Sequence, residues 1–187
     1  LGRMRWRDLD HDGKITELDQ TWIYDPVPDF TYGFNIYLEY KNFDFTAFFQ
    51  GVQGVDIISD LKKESDIWAG LNVGFLNKGH RLLNAWCVDN PSSNIPAVTL
   101  SDNNNEKRVS TYWVENGSYL KLRTIQLGYN LPQNIVSKLS MQRLRMYVSA
   151  QNLFTIKSSS FTGVDPENPN YGYPIPLNIT FGLNVTF

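Results

Sequence analysis

The chain has 187 residues, a net charge of -2 and one cysteine, Cys87. So small a net charge leaves no electrostatic footprint for a nucleic-acid partner. One cysteine excludes an intrachain disulfide, and no apolar run approaches the ~18 residues of a membrane helix. Hydrophobic residues make up 42% of the chain, enough for a core, and aromatics a high 14%. A membrane role would require barrel strands, because in lipid every backbone group must be paired. The sequence opens at Leu1 rather than Met, as a mature product or a fragment would.

Residues 1–30 read as a calcium-like loop with a lead-in. In DLDHDGKITELD, Asp8, Asp10 and Asp12 hold positions one, three and five of a calcium loop, and Gly13 holds the turn at six. Lys14 at seven offers its carbonyl, Ile15 packs the loop, and Thr16 and Asp19 fall at nine and twelve. Asp19 replaces the usual Glu and is one methylene shorter, so bidentate contact requires a shifted backbone. The plain alternative is a solvated acidic turn whose carboxylates bond their own backbone. No helices are evident on either side. Pro26 and Pro28 then bar helix and central strand alike.

A period of two begins after Pro28. Tyr32, Phe34, Ile36, Leu38 and Tyr40 alternate with polar or small residues, as do Phe43, Phe45, Ala47 and Phe49 after a turn at Lys41-Asn42. This predicts a hairpin with one apolar and one polar face. Residues 51–116 show no sustained period. A short helical piece is predicted near 59–69, and Asn and Ser cluster at 90–105. A connection this long is normally functional or disordered. Trp68, Trp86 and Trp113 here, with Tyr171 and Tyr173 in the loop 157–176, are candidates to stack on a ligand ring. They serve equally well as pins that hold each loop to its own scaffold.

A third strand is predicted over 117–131. Ile125, Leu127, Tyr129 and Leu131 share one parity while Leu120 and Leu122 take the other, so a bulge is expected near Arg123. A compact turn with Pro132 at its start leads to a fourth strand, where Leu144, Met146, Val148 and Ala150 share a face. The last stretch, 177–187, alternates without a fault: Leu177, Ile179, Phe181, Leu183, Val185 and Phe187 on one side, uncharged polar residues and Gly182 on the other. The fold class is all-β, antiparallel, with long loops at 51–116 and 157–176. If successive connections alternate between the two ends of a sheet, the short ones share one end and the long ones the other. Outer-membrane barrels show that segregation, whereas an immunoglobulin-like sandwich does not need it.

Several runs together resemble one family: DLDHDGKITELD, PDFTYGFNIYLEYKNFDFTAFFQG, NGSYLKLRTIQLGYNLP, LRMYVSAQNLFT, GVDPE, YPIP and the closing FGLNVTF. They resemble, in the family's order, the C-terminal region of SusC/RagA-type TonB-dependent transporters of Bacteroidetes. The resemblance is weakest over 55–116. It implies a segment, about five strands long, of a ~22-stranded outer-membrane β-barrel, residues 31–187 supplying the strands. It also implies a fragment or truncated product, since five strands cannot close such a barrel. As a function it implies import of oligosaccharides or similar nutrients, glycan or peptide, across the bacterial outer membrane with a SusD-like lipoprotein and TonB. Tyr32, Phe34, Ile36, Leu38, Phe43, Phe45, Leu144, Met146, Val148, Phe181, Leu183 and Val185 are then expected to face lipid. Outside a full barrel the free strand edges are expected to drive self-association.

Two rivals stand beside this reading. One is a soluble, calcium-stabilised carbohydrate-binding β-domain, which would need no detergent. The other is an enzyme such as a glycosidase, which needs carboxylates facing across a cleft. Asp165 and Glu167 sit on one Pro-rich loop with no distant acid to pair them, and neither His11 nor His80 neighbours a nucleophile motif. No catalytic residue is expected, and no cofactor other than calcium.

Overall fold

In the computed structural model, residues 1–66, 78–99, 102–169 and 173–187 are described. Strands β1 (Phe30–Tyr40) and β2 (Phe43–Gln53) form the expected hairpin, with Lys41 at φ 55° in its two-residue turn. Two short strands follow, β3 (Asp56–Ile58) and β4 (Val114–Asn116), which pair antiparallel. They close the base of the long excursion 59–113, so the chain leaves and returns at one place. Helix α1 (Asp60–Asp66) lies inside the predicted helical piece; the rest of that piece falls outside the described residues. Strand β5 (Tyr119–Asn130), helix α2 (Gln133–Val136), strand β6 (Arg143–Lys157) and strand β7 (Asn178–Thr186) complete the chain.

The main sheet has the order β1-β2-β5-β6-β7, and every neighbouring pair is antiparallel. Its register carries the alternation of each strand straight across all five. Ile36, Ala47, Ile125, Ala150 and Ile179 stand side by side in one row, and Leu38, Phe45, Leu127, Val148 and Phe181 in a parallel row. Between them, on the other face, run Tyr37, Thr46, Gln126, Ser149 and Thr180. A slip of one residue in any strand would turn its apolar set over, so the rows specify the pairing. The predicted bulge is present. Arg123 has no Cα partner on β2, where Phe48 pairs with Thr124 and Phe49 with Leu122. The extra residue restores Leu120 and Leu122 to the apolar face. Opposite it on β6, Asn152 sits at φ 57°, a conformation Asn tolerates.

The apolar face lacks a covering layer. Leu38 is 60% exposed and Phe181 80%. The buried hydrophobic cluster lies elsewhere, in the loops: Trp113 is 0% exposed and is packed by Met4, Ile58 and Tyr112.

Candidate functional site

The polar face of the sheet is where charge gathers. Asp44 on β2 and Arg145 on β6 reach each other across β5, with the Arg145 Nε donating to Asp44 Oδ1 at 2.9 Å. They meet above Gly128, where any added Cβ would strike both side chains. Glycine at this β5 position makes the pair sterically feasible.

Nearer the loop end, Lys121 is 1% exposed and donates to both oxygens of Asp165, at 3.1 and 2.8 Å, and to Glu167 Oε2 at 2.5 Å. Arg123 bonds Gln50 at 2.9 Å and also pairs with Glu167. The Tyr119 hydroxyl donates to Glu167 Oε1 at 2.7 Å. Burial alone would raise the Glu167 pKa, but Lys121, Tyr119 and Arg123 outweigh it and hold the carboxyl below its ordinary value. The segment 161–169 is thus clamped onto the polar face. A buried ammonium with two carboxylate partners is nearly fully bonded, so the arrangement fastens a loop and presents no free acid. Asp165 and Glu167 share cations; they do not face each other across a cleft.

The neighbouring loops carry a second cluster. Buried Glu115 accepts from the Thr162 backbone at 2.9 Å and lies 3.6 Å from Lys62. Burial lowers the Lys62 pKa and Glu115 partly restores it. Asp66 accepts from the Tyr112 hydroxyl at 2.6 Å and pairs with Arg81 at 3.3 Å. Burial, then Asp66, raises the Tyr112 phenol pKa.

The acidic loop has the backbone its sequence predicts at one decisive point: Gly13 lies at φ 82°. Carboxylate oxygens of Asp8, Asp10 and Asp19 lie within 4.8 Å of one another. Asp12 stands outside that group and accepts from the Lys14 N–H at 2.7 Å. Asp8 accepts from His11 and Gly13, at 2.7 and 2.8 Å. Asp19 accepts from Leu9 and Thr16, at 2.7 and 2.6 Å; these N–H groups, Thr16 first, lower its pKa. Thr16 caps a turn of 3-10 helix, Glu17–Asp19, in a reciprocal capping box with Asp19. The turn therefore holds its carboxylates by its own amides and still converges three of them. Three carboxylates, a hydroxyl and a carbonyl are hard oxygen donors of the kind calcium takes.

The aromatic candidates separate. Trp113 is packed away, its Nε1 donating to the Arg108 carbonyl at 3.1 Å; as a ligand-stacking residue it is corrected to a core residue, because both its faces are covered. Trp86 is half-buried, with Gly2 against its indole. Tyr173 is 96% exposed. Trp68 and Tyr171 lie outside the described residues. The sequence reading missed the groove that Trp86 helps to line. A cavity of about 950 Å³ opens between residues 2–23 and two loop stretches at 86–96 and 108–112. Its only sequence signal was the run of arginines at 3, 5 and 7 around Trp6.

No family model matches the chain. Three comparisons with individual proteins do. TonB-dependent receptor P3 of Formosa agariphila is 37% identical over 96% of this chain and 18% of its own length. TonB-dependent receptor SusC of Bacteroides thetaiotaomicron is 28% identical over 96% of this chain and 17% of its own. The structure of the RagAB peptide importer in the closed-closed state superposes with a TM-score of 0.75 and 27% identity, covering 93% of this chain and 19% of that one. The chain spans about a fifth of the length of these relatives. The rows of the sheet and these likenesses agree: the chain is a segment of the SusC/RagA type of TonB-dependent receptor, a protein of the bacterial outer membrane.

Proposed function

We propose that this chain forms part of the wall, and part of the loop crown, of an outer-membrane transporter. That transporter imports oligosaccharides or similar nutrients with a SusD-like lipoprotein and draws its energy through TonB. The carrying observation is the sheet itself: five apolar-in-register strands, one uncovered apolar face, and every long connection at one end. In this reading the apolar rows face lipid and the Asp44–Arg145 and Lys121 clusters face the lumen. RagAB, by its description a peptide importer, and the SusC likeness support the class of protein. A soluble carbohydrate-binding domain would have to hide the rows that Leu38 and Phe181 leave open.

The test is uptake of a labelled oligosaccharide by cells carrying the parent gene, with and without TonB, together with co-purification of the lipoprotein. Uptake that survives loss of TonB, or a chain that stays monomeric in plain buffer at high concentration, would overturn the reading.

Calcium belongs to the same proposal. Asp8, Asp10 and Asp19, with Thr16 and the Lys14 carbonyl, would hold one ion at about 2.3–2.6 Å, and Asp12 would join by releasing the Lys14 N–H. The ion would brace the lead-in to β1. Calorimetry on the wild type and on Asp10→Ala checks this: a calcium response in the first and none in the second is expected, and equal responses would remove the ion from the account.

A further inference from the structure

We infer that the cavity between the N-terminal segment and residues 86–96 and 108–112 is a subsite for an acidic oligosaccharide, one bearing carboxylates on its sugar rings. The inference rests on the transporter reading and narrows it to a substrate class. At about 950 Å³ the cavity has the size of an oligosaccharide-scale ligand site. Arg3, Arg5, Arg7 and Arg108 line it, against one lining carboxylate, Asp19.

The cations are incompletely used. The Arg3 Nε donates to Glu106 at 2.7 Å, while its buried Nη2 has no hydrogen bond and lies 4.0 Å from Asp102 Oδ1. Among the described residues Arg5, Arg7 and Arg108 have no carboxylate within ion-pair distance. Arg108 instead lies over the Trp6 ring at 5.6 Å. The Ser110 hydroxyl, also on the lining, is buried without a partner. Unpaired buried donors are costly unless something bonds them. Both of those atoms lie beneath the lining, so the charge open to a ligand is that of the exposed Arg5, Arg7 and Arg108, whose guanidinium forks suit carboxylates.

The aromatic lining decides for sugar over peptide. Trp6 and Trp86 offer flat apolar surface beside hydroxyl and amide side chains, the mixture a sugar presents in return. No strand of the described sheets lines the cavity, so a peptide would find no edge to extend.

The experiment is calorimetric titration of the protein in detergent with galacturonic-acid oligomers, neutral malto-oligosaccharides and poly-glutamate. Binding of the galacturonate alone, weakened by salt, is expected. The double variant Arg5→Ala/Arg7→Ala and the single Arg108→Ala should each weaken it about tenfold or more, the scale of one lost charge-assisted bond, with Arg108→Lys recovering part. Circular dichroism guards against misfolding. Equal affinity for neutral sugar, or variants that bind as the wild type does, would overturn the subsite. Equal binding of poly-glutamate would overturn the sugar assignment. None of these outcomes touches TonB-dependent uptake, which fails or survives by its own assay.

Discussion

The five-stranded wall and the loop crown at its end handle apolar surface in opposite ways. The wall sorts its large side chains onto one face and leaves them open; Leu38, Phe181 and Leu183 are all at least 60% exposed. The crown folds inward like a small soluble protein, with Trp113 fully buried beneath Tyr112 and Met4 and with Glu115, Asp66 and Glu106 buried beside hydrogen-bond partners. The difference teaches which solvent each region answers to. The crown meets water and must bury its apolar groups. In the proposed barrel the wall would meet hydrocarbon, where the same groups need no burial and only the backbone must be paired.

The sharpest way to break that comparison is at the crown. Trp113→Ala should cost about 3–5 kcal/mol, the range for emptying a packed aromatic site. Protease should then cut the loops while the strand signal in circular dichroism persists. Loss of both together would mean that wall and crown are one cooperative unit.

The wall is tested next. Ile36→Arg or Phe181→Arg should cost about 2–4 kcal/mol near a bilayer midplane, read by denaturant titration in liposomes. Asn35→Arg and Thr180→Arg, from the other face, should cost far less. Equal penalties on both faces would refute the assignment.

The contact between the regions comes third. Lys121→Met strands Asp165, leaves Glu167 to Arg123 and Tyr119, and should cost about 2–3 kcal/mol, seen as faster hydrogen exchange at 161–169. Mildest is the pH response of the same clamp. Glu167 titrates below its ordinary 4.5, so its contribution is complete above that value and is lost as pH falls through the lowered one. Exchange at 161–169 should stay slow at neutral pH and quicken only below about 4.5. Quickening that begins near pH 6 would point to a different group.

What the sequence disclosed follows the same division. Every long strand was legible because period two survives wherever one face is apolar, and Arg123 was legible as a bulge because Leu120 and Leu122 break parity with Ile125. Gly13 was legible because its turn needs positive φ. Strands β3 and β4 were not, since three residues are too few to show a period. The clamp was not either: Lys121 and Asp165 are 44 residues apart, and each alone looks like an ordinary surface charge. Trp113 left both readings open, ligand platform and scaffold pin, because a lone Trp in an aperiodic stretch carries no mark of burial.

The bulge at Arg123 has a consequence for how such a wall changes over generations. Without Arg123, Leu120, Leu122, Ile125 and Leu127 would alternate regularly, as on a plain strand. Against β2 the extra residue bows out of the pairing, but against β6 it stands opposite two unpaired residues, Asn152 and Leu153, so the two strands bulge together. A sheet built this way gains an anchor for a loop only where the neighbouring strand bulges with it, so the change involves β5 and β6 together.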